Sequence, residues 1–138
     1  MTNTTVREMT EEDIAELLAT AKEAGQMINY DTIPPMIMEG LKNYVERGIP
    51  TGGFLEAVLA NDLMAAVGGA DPNSMMALPS IVSYVYMELP STCHGSYKVY
   101  RAWLALCYAS ERGIEGDELQ ELADKVTEAK REANEWRR

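Results

Sequence analysis

Apolar residues recur along most of this chain at steps of three and four, the spacing of helices that bury one face. The first stripe is Ile14, Leu17, Leu18, Ala21 and Ala24. Thr10 stands before it as an N-cap, and Glu11, Glu12 and Asp13 place carboxylates at the positive end of the helix dipole. A helix is expected from there to about Gly25, or on to Met27 or Ile28. Residues 1–9 carry no period and are expected to be mobile or loosely docked. Ile33-Pro34-Pro35 opens a second helix, since proline is tolerated in a first turn whose N–H has no helical partner. Met36 or Ile37, Leu41, Tyr44 and Val45 form its apolar face, and Gly48 and Pro50 stop it. A third helix should bury Phe54, Leu55, Val58, Leu59, Leu63 and Met64, keep Glu56, Asn61 and Asp62 off that face, and end at Gly68-Gly69.

Asp71-Pro72-Asn73-Ser74 reads as a turn or an N-cap leading to Met75, Met76 and Leu78, with Pro79 as a further helix start. Ile81, Val82, Tyr84, Val85 and Tyr86 suit a helix or a strand. Helix is favoured, because no second strand-like segment exists to pair with them. A loop from Leu89 to Ser96 precedes a helix carrying Val99, Tyr100, Trp103, Leu104, Leu106 and Cys107, which Gly113 closes. The last stretch, 117–138, differs. Leu119, Leu122, Val126, Ala129, Ala133 and Trp136 alternate in steps of three and four, a heptad seam rather than a broad stripe. That seam can pack on its own domain or pair with a partner subunit, and the expectation is a homo-oligomer built on it. The fold class is all-α: a compact bundle of about five or six helices forming one domain over residues 10–138.

Charge narrows the functions. The net charge is −10, from 22 acids against 12 bases. The acid sits in the flanks, −5 over residues 1–32 and −3 over 111–138, while 33–110 carry −2. Phosphate backbones attract clustered Lys and Arg, so general nucleic-acid binding is disfavoured. No apolar run approaches the length of a membrane span, and the first residues lack the core of a signal peptide. Two cysteines, Cys93 and Cys107, fit thiols kept reduced, and the expected location is the cytoplasm.

Chemistry is thin. His94 is the single histidine; a Cys93–His94 nucleophilic pair lacks an orienting third group, and Cys93, His94 and Cys107 lack zinc-ligand spacing. No catalytic residue, metal or cofactor is assigned. Two glycine-containing helix starts, Thr51-Gly52-Gly53 and Gly95-Ser96, offer more. If both face one cavity, their N–H groups with Lys98 and Arg101 would receive a small anion, and Tyr97 or Tyr100 would stack on a base. Capping without a ligand is the alternative, since neither start matches a P-loop or dinucleotide fingerprint.

The residues Ile33-Pro34, Leu41, Tyr44, Gly48, Gly52, Phe54-Leu55-Glu56-Ala57-Val58-Leu59, Asn61-Asp62-Leu63, Ala66, Ala70-Asp71, Asn73, Ile81-Val82, Tyr84, Tyr86, Pro90, Cys93, Gly95-Ser96 and Trp103 together resemble a family of small proteins of phages and prophages. The likeness covers about residues 33–104, and His94 stands where such proteins often carry Trp. The resemblance implies an accessory protein acting inside an infected bacterium, but no activity. The expected function is a non-enzymatic, self-associating protein that binds a host protein or a small anionic ligand. The alternatives are a small enzyme acting on a phosphorylated small molecule and a minor virion component.

Overall fold

The computed structural model describes residues 9–26 and 29–135. The expectations for residues 1–8, for Met27 and Ile28, for the side chains of Ala21 and Ala24 and for Trp136 fall outside them. Among the described residues the chain is all-α, with seven α-helices and no strand. They are α1 Glu11–Gln26, α2 Pro35–Arg47, α3 Gly53–Leu59, α4 Leu63–Gly69, α5 Pro72–Glu88, α6 Tyr97–Glu111 and α7 Asp117–Asn134. Two single 3-10 turns, Tyr30–Thr32 and Ser91–Cys93, precede α2 and α6.

Local chemistry explains most boundaries. Thr10 and Asp13 form a reciprocal capping box at α1, each side chain accepting the other's backbone N–H at 3.1 Å. Pro35 begins α2. Gly48, in the left-handed region at φ 65, ends it, with Gly48 N–H donating to Tyr44 O and Ile49 N–H to Asn43 O. Asp71 caps α5 by accepting the Ser74 N–H at 2.7 Å. The β-branched run 81–86 is helical, and Pro79 lies inside α5 with its ring exposed instead of opening a new helix.

The expected third helix is two. After Leu59 the chain turns at Ala60–Asp62, where Asn61 takes φ 60, a left-handed value that asparagine accepts more readily than most side chains. Asp62 then caps α4 through the Ala65 N–H at 3.2 Å. The break rotates the chain, so Leu63 and Met64, expected in the core, are exposed.

The core gathers Leu41 and Tyr44 of α2, Leu55 and Leu59 of α3, Ile81 and Val85 of α5, Cys93, and Tyr100 of α6. Tyr44 is fully buried and stacks on Tyr100 at 5.0 Å, 8° from parallel. Its hydroxyl donates to the Cys93 carbonyl at 2.8 Å, and Trp103 Nε1 donates to the Tyr44 carbonyl at 3.2 Å. α7 lies along α6. Val126 and Ala129 are buried there and Leu119, Leu122 and Ala133 are half-buried. The described part of the heptad seam, Leu119 to Ala133, therefore packs at least in part within the subunit. The period of a seam says that a helix covers it, not whose helix.

Two substitutions test this packing. In Gly48→Ala the new Cβ would lie 2.3 Å from Cys107 Cβ, at a φ that L-residues resist. Its cost should exceed about 2 kcal/mol in denaturant unfolding. Tyr44→Phe strands the buried Cys93 carbonyl and should cost roughly 1–3 kcal/mol by the same measurement.

Candidate functional site

The two helix starts singled out by their glycines do not converge. Thr51 N–H is taken by the Tyr100 hydroxyl at 2.9 Å, and Thr51 Oγ1 lies 3.2 Å from the same hydroxyl. Gly52 and Gly53 are exposed, with open space where side chains would stand. At the other start, Gly95 N–H closes onto the Leu59 carbonyl at 2.8 Å, and Ser96 Oγ accepts the Val99 N–H at 3.1 Å as an ordinary cap. Tyr97 donates to Asp62 at 2.6 Å, Lys98 pairs with Glu132 at 2.7 Å, and Arg101 is exposed. Thr51 and Gly52 line an apolar groove between α2 and α3 of about 310 Å³, with Met36, Ile37 and Phe54. Gly95 lines a different cavity. The two starts thus line different cavities, and of their residues Ser96 is the one that caps its helix through its side chain.

The cavity at Gly95 is better built. It holds about 450 Å³ between the end of α3, the C-terminal half of α5, the 91–95 loop and the last turns of α7. Val58, Leu59, Val82 and Val85 supply an apolar floor; Asn61, Ser91, His94, Lys130 and Asn134 bring polar groups from separate elements. Lys130 Nζ donates to the His94 carbonyl at 2.8 Å, tying α7 to the loop. The φ of Gly95 is 137, a backbone conformation L side chains rarely adopt, and the Lys130 amine lies 3.2 Å from where a Cβ would stand. His94 Nε2 is shielded from solvent. None of Asn61, Lys130 or Asn134 was singled out in the sequence as a binding residue. The signal available was the helical period of α7, which stacks residues 130 and 134 on one face.

Nucleophilic chemistry at Cys93 is unfavourable. The thiol is completely buried, and burial, offset only in part by the Lys130 charge, pushes it up to about 12. A thiol so held stays protonated and unreactive at neutral pH. Burial also raises Cys107, with Glu111 adding to it. Among the described residues no three His, Cys, Asp or Glu side chains stand together as a metal set.

Asp62 joins two elements, capping α4 while accepting the Tyr97 hydroxyl of α6. The Tyr97 hydrogen bond, then the Ala65 N–H, hold its carboxyl below the usual range, and the same bond raises Tyr97. Comparison with family models, curated proteins and solved structures finds no match to this chain.

A carboxyl lowered by folding stabilises above its ordinary pKa of 3.8, and that stability disappears as pH falls through the lower folded value. Asp62→Asn, which keeps the acceptor and removes the charge, should melt below wild type at pH 7. The two melting temperatures should converge as pH falls below 3.8.

Proposed function

We propose that this chain is a non-enzymatic binding protein that associates with copies of itself and docks on a partner protein. The observation that carries this reading is the outer face of α5. From Pro72 to Met87 the helix contains no charged residue, in a chain of which 25% is charged. Part of that charge-free surface nonetheless faces solvent: Met76 is 86% exposed and Tyr86 65%, with Val82 and Met87 exposed beside them. A helix facing water normally carries charge on its outer side, and one that is apolar all round is normally covered on both. α4 adds exposed Leu63, Met64 and Val67. Unbranched methionine side chains adapt to irregular partner surfaces, and contiguous exposed apolar surface marks interaction sites in folded proteins. The resemblance to phage proteins supports an accessory role in which the partner is a host protein, as in an antagonist of host defence.

A second reading, capture of a small anionic ligand, is favoured by the convergence of Lys130, His94, Asn61 and Asn134 on an apolar-floored cavity. Nucleotides would be offered to the protein and recovered after denaturation. Unchanged nucleotide retained by wild type and lost by Lys130→Met supports capture, while converted nucleotide supports the enzyme alternative.

Light scattering on a size-exclusion column tests the main reading. The expected mass is twice the 15.3 kDa of the chain or more, and a strict monomer at about 100 μM, a concentration at which even micromolar pairs are assembled, overturns self-association.

A further inference from the structure

We propose that Met36, Met64 and Met76 are the oxidation-sensitive sulfur of this protein: surface sites of reversible sulfoxide formation that change the character of its outer faces and leave its fold intact.

Methionine is among the residue types most often buried, and here it is placed the other way round. Met64 is 87% exposed, Met76 86% and Met36 84%, with Met87 next at 66%. Among the described residues no methionine belongs to the buried core; Met38, half-buried against it, comes nearest. Thioethers of three separate helices, α2, α4 and α5, therefore stand in water.

The cysteines are arranged in the opposite sense. A thiol reacts with peroxide as its thiolate, and so needs both solvent and a low pKa. Cys93 is completely buried, its thiol pushed up to about 12 by that burial, and Cys107, partly buried, is raised as well. A thioether has no proton to lose, so exposure alone sets its access to an oxidant. The sulfur most open to oxidation is thus thioether and not thiol.

The reaction balances with a peroxide as the oxidant. The sulfur lone pair attacks one peroxide oxygen, the O–O bond breaks, and that oxygen stays on sulfur while the other leaves as water; sulfur is oxidised and the peroxide reduced. Reversal consumes a pair of thiols, which become a disulfide as the oxygen leaves as water.

Such an oxygen costs the fold little, because a side chain already in water gains a polar group without burying it. It matters to a contact. The stretches Leu63 to Ala70 and Pro72 to Met87 contain no charged residue, and Met64 and Met76 stand exposed on them. The self-association reading above assigns docking to these faces, and the effect on assembly rests on that reading: a sulfoxide there puts an unpaired acceptor into an apolar contact and weakens it roughly tenfold. Met36, on α2, lies outside both stretches.

Peptide mass mapping of the full-length chain in dilute hydrogen peroxide tests the assignment. Met36, Met64 and Met76 should each take up one oxygen before Met38 does, and Cys93 should remain a thiol. Circular dichroism should show the fold unchanged, and methionine sulfoxide reductase with a dithiol should restore the original mass. Oxygen arriving at Met38 or Cys93 as early as at Met76, or helix lost as the exposed sites are oxidised, overturns the assignment. Light scattering across a dilution series then reads assembly. The oxidised chain should dissociate at a roughly tenfold higher concentration than the untreated one, and Met64→Leu/Met76→Leu should assemble alike with and without peroxide. Oxidised wild type that assembles as tightly as untreated overturns the effect on assembly and leaves self-association standing. A wild type that is monomeric before treatment overturns self-association, and the peptide map alone then decides the oxidation sites.

Discussion

The buried phenol of Tyr44 is the contact on which the arrangement depends. It reaches the Cys93 carbonyl from the middle of α2, stacks on Tyr100 of α6, and its own carbonyl receives the Trp103 indole. One residue thereby joins α2, the loop before α6 and α6 itself. Burial, with the neighbouring Cys93, Tyr100 and Cys107 adding to it, holds its hydroxyl protonated far above the usual phenol range, so it is a permanent donor. Gly48 closes the same corner one turn further on, at the C-terminal end of α2, letting the backbone touch Cys107 where no Cβ fits. Tyr100 carries the constraint outward, because its hydroxyl is the partner of Thr51 at the entrance to α3.

With α3 fixed at its entrance, the break at Asn61-Asp62 sets the course of the chain beyond it. The left-handed Asn61 ends the core-facing run, and Asp62 starts α4 in a new direction while gripping Tyr97. Gly95 binds back to Leu59 at the same place. These local bonds occupy the Gly95 N–H and the Tyr97 hydroxyl, two groups of the expected anion cradle. They also open the neighbouring cavity, whose far wall is α7, held by Lys130 on the His94 carbonyl.

The outside of the molecule is shaped by the same geometry. Turning α4 away from the core exposes Leu63 and Met64, and laying α5 with Ile81 and Val85 inward leaves Met76, Val82 and Tyr86 outward with no charge among them. The acidic residues concentrate in the flanks, at −5 over 1–32 and −3 over 111–138, while this apolar surface lies in the nearly balanced middle. The buried Cys93 thiol is held protonated, and the loop that carries His94 is fastened to α7 through its backbone carbonyl.

The helical period, the stops at Gly48 and Gly113 and the caps at Thr10, Asp71 and Ser96 are local properties, and the sequence by itself determined them: each depends on groups within about four residues. For the same reason it determined the all-α class and the apolar faces of α2, α3 and α6. Three things depended on groups distant in the chain, and only the tertiary structure decided them. The heptad seam of α7 met α6 of its own chain, because a period specifies a covered face without specifying the cover. Thr51 and Gly95, one at each glycine start, give their N–H groups to Tyr100 and Leu59, partners 49 and 36 residues away. The run from Phe54 to Met64, continuous in its apolar period, broke at Asn61-Asp62, because a left-handed turn, a cap and the Tyr97 hydroxyl together outweighed one more turn of helix.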